Sequence, residues 1–375
     1  MKIPFVDLHA QYLTIKHEID RAIAEVIAQS AYIRGPHVDA FEEAWARTLG
    51  VKRCVSCANG TDAIYIALRG LGLKRGDEVI TSAHSWISTS ETITQAGGQV
   101  VFCDTDEETF TIDPIEIERK ITPATVGIVP VHLYGQAADM GAIMAIASKH
   151  NLWVLEDCAQ AHLAKYNGQY VGTFGNAGTF SFYPGKNLGA YGDAGCIVTN
   201  DDHLADWMAT FARHGGKGEH VMEGINSRMD GLQGAILNVK LPHLPAWTAA
   251  RRRVAARYDE LLNELGDIVA PKVAPDGEHV YHLYVIRTKK RDALKKHLAA
   301  AGVATVINYP KALPFYPAYG YLGHTPKDFP NAYFNQSQIL SLPIYPEMTR
   351  EMMSYIADSI ASFMEVATDR VATAV

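Results

Sequence analysis

The sequence contains no apolar run approaching the roughly 20 residues that a membrane span needs. It has no basic surplus either: 34 Lys and Arg against 41 Asp and Glu give a net charge of −7, so no positive field draws nucleic acid. A disulfide framework is also missing. The five cysteines, Cys54, Cys57, Cys103, Cys158 and Cys196, are odd in number and scattered. The opening stretch "MKIPFVDLHAQYLTIKHEID" lacks the basic start and apolar core of an export signal. Free buried thiols in a reducing cytoplasm are therefore expected. Cys54 and Cys57 form a C-x-x-C with no second pair or paired histidines at zinc spacing, which reads as packing of small apolar side chains. There are no repeats and no low-complexity tracts.

What is present is an ordinary globular composition, 48% apolar and 20% charged over 375 residues, with room for two domains. Short apolar runs bounded by Gly, Asp or Asn read as buried strands at 77–83, 98–104, 126–133, 152–159, 177–183 and 195–200. Helical patterns such as 137–151 and 201–215 lie between them. That alternation predicts an α/β fold with a mainly parallel sheet covered on both faces. After residue 240 the character changes to a long helix at 241–265, an apolar stretch at 279–288, a helix at 291–301 and the stretch 302–310. The chain thus divides into a large domain, 1–240, and a smaller α+β domain, 241–375. The Pro- and Tyr-rich segment 309–333 has neither period and reads as a long ordered loop, a kind of segment that often carries function.

Four features carry chemistry. "CANGTDAIYIALRGLGL" (57–73) places Asn-Gly-Thr-Asp before an apolar helix, whose unpaired first amides make an anion seat, although a simple helix cap explains the same letters. "LEDCAQAH" (155–162) ends an apolar strand in Glu156 and Asp157, where α/β sheets put their ligands, unless the pair only caps the next helix. In "TFSFYPGKNLGAYGDAG" (179–195) a single lysine, Lys186, stands among glycines rather than charges. Desolvation lets such an amine lose its proton and form an imine, and the glycines would admit a flat ligand. Trp86, in a Ser/Thr-rich loop, is a core plug or a stacking platform. Together, an anion seat (Gly60, Thr61, Ser181), a flat face (Trp86), a carboxylate (Asp157) and an amine (Lys186) are what pyridoxal phosphate requires.

At these residues the chain resembles the DegT/DnrJ/EryC1/StrS family of sugar aminotransferases, which have the aspartate-aminotransferase fold (fold type I). The likeness runs almost end to end through "NGTDA" (59–63), "VPVHLYGQAADM" (129–140), "EDCAQAH" (156–162), "FSFYPGKNLGAYGDAG" (180–195), "NSRMDGLQGAIL" (226–237) and "SLPIYPEMT" (341–349). The resemblance implies that Lys186 and Asp157 are catalytic, Lys186 as the imine-forming base and Asp157 as partner of the ring nitrogen. It implies that Gln160 bonds the ring hydroxyl, Trp86 stacks, and Gly60, Thr61 and Ser181 hold the phosphate. Asn226 would reach in from a second subunit of a homodimer. Two departures are visible: Leu163 and Ala194 stand where many relatives have glycine. The loop "NYPKALPFYPAYG" also lacks a histidine common in relatives.

Within the family, "GKNLGA-x-GD" after the lysine and a Gln at position 160 lean toward amination at C-3 of a dTDP-linked 3-keto-6-deoxyhexose, with L-glutamate as donor and no metal. Amination at C-4, or of a cyclitol ketone such as scyllo-inosose, stays open. A sugar dehydratase of the same family would carry histidine in place of Lys186. A regulatory protein without turnover would be expected to have lost one of these groups. His84, His132, His162 and His214 are left between substrate contact and structural roles.

Overall fold

The computed structural model describes residues 1–372 apart from Lys217 and Glu264. Seven strands build the central sheet: β1 (Arg53–Cys57), β2 (Glu78–Ser82), β3 (Gln99–Cys103), β4 (Thr125–Val129), β5 (Trp153–Asp157), β6 (Ala177–Ser181) and β7 (Gly195–Thr199). Their order in space is β1-β7-β6-β5-β4-β2-β3. The run from β3 to β6 is parallel, and β7 is antiparallel to both of its neighbours. The mainly parallel α/β sheet is as expected.

Each of the six apolar runs coincides with one strand, generally shorter than the run, and the strand of the run 126–133 starts one residue earlier, at Thr125. In the run 126–133 the regular strand ends at Val129, before Pro130, and Val131 then makes a single parallel bridge to Asp157. The edge strand β1 was not foreseen, since Arg53 and Ser56 dilute its apolar pattern. Its pairing with β7 explains the C-x-x-C: residues three apart in a strand face opposite ways, so Cys54 packs with Trp45 while Cys57 packs with Ala63 and Ile197. All five cysteines are buried and free.

Helices cover both faces. Gly60–Gly70, Ser88–Gln95 and Asp202–Phe211 bury Ile66, Ile93 and Met208 against one face, and Pro36–Leu49 and Gly231–Lys240 bury Phe41, Trp45 and Leu237 against the other. Beyond residue 240 a 3-10 turn, Leu241–His243, runs into the helix Leu244–Leu262. With Arg291–Ala300 and Arg350–Ala372 it covers an antiparallel pair, Tyr284–Arg287 with Ile339–Leu342. Tyr258, Leu298, Leu340 and Ile356 make the core there, and Ile3 joins it through a bridge to Val303. Among the described residues no helix is long and apolar enough to cross a membrane.

The segment 309–333 is more regular than its composition suggests. It holds three 3-10 turns, and the helix Pro330–Gln336 starts inside it. Proline at the first helical position and Asp104, which accepts from the N–H groups of Asn331 and Ala332 at 2.9 Å each, set that start. Tyr319 and Phe329 pack edge-on against Phe102, which folds the segment over the sheet.

Candidate active site

A cavity of about 670 Å³ lies beyond the carboxyl ends of β5 and β6. Seven of the eight residues singled out in the sequence line it: Gly60, Thr61, Trp86, Asp157, Gln160, Ser181 and Lys186. Asp157 and Ser181 are the last residues of β5 and β6, and Lys186 sits in the turn that follows, its N–H donating to Tyr183 O at 2.8 Å. Asn226 is the exception. It is exposed, bridged to Arg213, and outside this cavity.

One wall is a helix start. Asn59 caps Gly60–Gly70 by accepting from Asp62 N at 2.8 Å, while the N–H groups of Gly60 and Thr61 find no acceptor among the described residues. Those two amides, the Thr61 hydroxyl (2.7 Å from Ser88 Oγ) and Ser181 make a seat for an anion. Glycine is required at 60, because a Cβ there would lie 2.6 Å from Ser181 Cβ. Ser227 pins the seat from behind, donating to Asp62 Oδ2 at 2.6 Å and accepting from Ala58 N.

The two carboxylates ending β5 point to opposite faces. Glu156 is fully buried, and its oxygens accept from the N–H groups of Gly172, Phe174 and Gly175 and from His132 Nε2 at 2.7–3.0 Å. His132 Nδ1 in turn accepts from Ala138 N, which places the ring proton on Nε2. His132, Glu156 and Cys158 lie close enough to hold a metal ion, yet the lone pairs of Glu156 are already taken. Asp157 faces the cavity with fewer partners, the Thr89 hydroxyl at 2.7 Å and Ala159 N at 3.1 Å.

Burial pushes the Lys186 amine down to about 8, against the opposing attraction of Asp157. A useful share of neutral amine thus exists near neutral pH. One of the glycines near it does a different job from the one expected. A Cβ at Gly189 would meet Pro184 O at 2.3 Å, so that glycine closes the lysine's own turn rather than clearing space for a ligand.

Gln160 is held at both ends: Oε1 accepts from Tyr134 N at 2.7 Å and Nε2 donates to the Tyr309 hydroxyl at 2.8 Å. Trp86 is 56% exposed, with its ring 5.4 Å from that of Tyr309. That exposure excludes the core-plug reading. Thr89 and Tyr309 were missed as individual residues. The density of hydroxyls in 82–98 and the length of the 309–333 segment were the available signals. Of the histidines, His84 and His162 are buried, which pushes them down to about 4 and about 3. His162 sits among Trp45, Phe180 and Phe182. Leu163 takes the left-handed conformation (φ 66°) that glycine would occupy without strain. Ala194 shows no such strain and simply accepts from Phe182 N.

Comparison with known proteins shows the family. The chain is 47% identical to a "pleiotropic regulatory protein" of Geobacillus stearothermophilus, over 97% of this chain and 99% of that one. It is 39% identical to the dTDP-3-amino-3,4,6-trideoxy-alpha-D-glucose transaminase of Streptomyces venezuelae, over 97% of each. The crystal structure of S. venezuelae DesV in complex with a ketimine intermediate superposes with a TM-score of 0.94 at 39% identity, covering 97% of this chain and 99% of that one. A family model matches residues 13–361, and on that match the chain belongs to the DegT/DnrJ/EryC1/StrS aminotransferase family.

Proposed function

We propose that this aminotransferase uses pyridoxal 5'-phosphate to move an amino group from L-glutamate to C-3 of a dTDP-linked 3-keto-6-deoxyhexose, in deoxyamino sugar biosynthesis. The observation that carries the reading is Lys186, held near pH 8 by burial, in one cavity with Asp157 and an open helix start. The residues fit the cofactor: two unpaired amides and two hydroxyls suit a phosphate, and a Cβ at position 60 would collide with that cradle. When bound, the cofactor supplies an electron-withdrawing ring that carries the amino group between donor and acceptor.

The chain's own residues do the rest. Gly60, Thr61 and Ser181 hold the phosphate. The exposed face of Trp86 stacks on the ring, and Asp157, steadied by Thr89, keeps a proton on the ring nitrogen. Gln160 has its carbonyl committed to Tyr134 N and therefore offers N–H to the ring hydroxyl. Lys186 Nζ takes and returns the proton that moves between substrate carbon and cofactor. Asn226 reaches the phosphate from the partner subunit of a homodimer, which its exposure in the single chain permits. The name of the S. venezuelae relative supports the dTDP and C-3 assignments.

The test loads the protein in its amine form and offers dTDP-linked 3-keto and 4-keto 6-deoxyhexoses separately. Return of the cofactor's visible band with the 3-keto sugar is the expected result. Return only with the 4-keto sugar would move the position. Silence with both would point to a cyclitol ketone or another nucleotide. The regulatory name of the Geobacillus relative suggests a second reading, binding without turnover; loss of the band on adding L-glutamate would dismiss it.

A further inference from the structure

Lys186 stands midway along a tight turn between Tyr183 and Gly189. The turn closes on itself: Lys186 N donates to Tyr183 O and Ala190 N to Phe182 O, at 2.8 Å each. Its far limb is tied to the helix Gly231–Lys240. Gln233 Oε1 accepts from Tyr191 N at 2.9 Å, and Lys240 Nζ donates to Gly189 O at 2.6 Å. No other donor reaches Gly189 O among the described residues.

Lys240 is an uncommon place for a charge. It is the last residue of its helix and only 1% exposed, with its Nζ 4.7 Å from the centre of the Tyr191 ring. It forms no ion pair among the described residues, and Glu347 attracts it from farther off. Burial pushes its amine down to about 8, so most of it is charged at neutral pH. A buried ammonium with one acceptor is costly, and a methionine of similar shape would fill the same space without that cost. Residues that break a packing rule in this way mark places where function sets the choice. Lys240 does not line the main cavity, so the transfer reaction uses none of its atoms. What its amine does touch is the turn that carries Lys186. Gly189 is pressed against Pro184, where even a Cβ would not fit, so the position of its carbonyl fixes the whole turn.

We infer that Lys240 is a positioning residue of the transfer reaction: by holding the Gly189 carbonyl it fixes the turn that aims Lys186 Nζ into the main cavity. The inference rests on Lys186 being the amine of that reaction, as proposed above. The groups that face Lys186 are Asp157, which favours its charged form, and His162 and His282, which burial keeps neutral. Lys240 is not among them, so it acts on Lys186 through the turn and not through its field. Either protonation form of Lys240 can donate, and the tie persists across the range in which Lys186 titrates.

The test compares the wild-type chain with Lys240→Met and Lys240→Arg by three readouts. The first needs no cofactor: acetic anhydride labels the free protein across a pH series, and the Lys186 peptide is read by mass spectrometry. The second is the affinity for pyridoxamine phosphate, which cannot link to Lys186. The third is the rate at which the visible band appears with pyridoxal phosphate. In the wild type, labelling of Lys186 should be half-maximal near 8. Lys240→Met is expected to move that midpoint up by at least about one pH unit, toward an ordinary lysine, and to slow the band about 100-fold. Pyridoxamine phosphate affinity should stay within about twofold, because the phosphate seat is on a different helix. Lys240→Arg restores a donor and should recover most of the rate. A labelling midpoint that stays or falls, or an unchanged band rate, overturns the inference. So do equal losses of pyridoxamine phosphate affinity and of the band, which a merely structural role would produce. Should Lys240→Met fail to fold, Lys240→Gln gives the same decision, because its side chain is one bond shorter and stops short of Gly189 O. If the wild type takes up no pyridoxal phosphate while the Lys186 midpoint still moves in Lys240→Met, the positioning stands and the transfer reading falls.

Discussion

Glu156 and Asp157 are adjacent, equally charged and at the end of one strand, yet they belong to different parts of the molecule's economy. Glu156 faces the packed side of the sheet, where four donors fill its oxygens and tie the loop 172–175 to His132. Asp157 faces the cavity with one hydroxyl and one amide, leaving capacity for a ligand. The difference teaches that what marks a working carboxylate is the donors it still lacks. A buried anion that is fully bonded is a structural joint.

The largest effects should come from exchanging the two. Asp157→Asn is expected to cut turnover about 1,000-fold with the thermal midpoint nearly unmoved. Glu156→Gln should cost about 3–5 kcal/mol in urea unfolding while the folded fraction keeps its turnover. A comparable loss of stability from Asp157→Asn would break the contrast.

Next in size is a pH effect that reads the cavity side alone. Burial disfavours the ammonium form of Lys186, so its amine becomes neutral as pH rises through about 8. The rate of cofactor uptake should therefore climb with pH and level off near 8, where an ordinary lysine would keep climbing toward 10.5. At pH 7 that is roughly 300 times more neutral amine than an ordinary lysine offers. Asp157→Asn removes the attraction that favours the charged form, so the plateau should move to lower pH; an upward shift would contradict the geometry. Smaller again, Thr89→Val keeps the shape and removes one hydrogen bond to Asp157, which should lower turnover about tenfold with little change in stability. The smallest effect is expected six residues past Asp157. Leu163→Gly relieves about 1 kcal/mol of left-handed strain but gives up about 2 kcal/mol of buried side chain, for a net loss near 1 kcal/mol by calorimetry. A net gain would mean that strain outweighs packing there.

Much of this was legible in the sequence because periodicity and local chemistry agree. The six apolar runs lie where strands β2 to β7 form, and Gly60, Asp157 and Ser181 sit at element ends, with Lys186 in the turn after β6, which pattern alone can locate. What escaped depends on long-range contacts. Strand β1 is defined by a partner some 140 residues away, Thr89 by Asp157 across the sheet, and Tyr309 by Gln160. Adjacent letters cannot say which of Glu156 and Asp157 turns toward the cavity, because that follows from strand register. The reason for Gly189 was likewise invisible: a carbonyl five residues earlier comes too close for any side chain.

The bridge between Ile3 and Val303 also sets an order of events during synthesis. By the time Thr199 has emerged from the ribosome, every strand of the large sheet and Lys186 itself are available to fold. Ile3 must wait for a bridge partner made 300 residues after it, on the order of half a minute at typical elongation rates. Its buried partners all lie at Val254 and beyond, so its apolar side chain stays uncovered until they are made. The small C-terminal core is thus completed only when the helix Arg350–Ala372 is made, although one of its members is among the first residues synthesised.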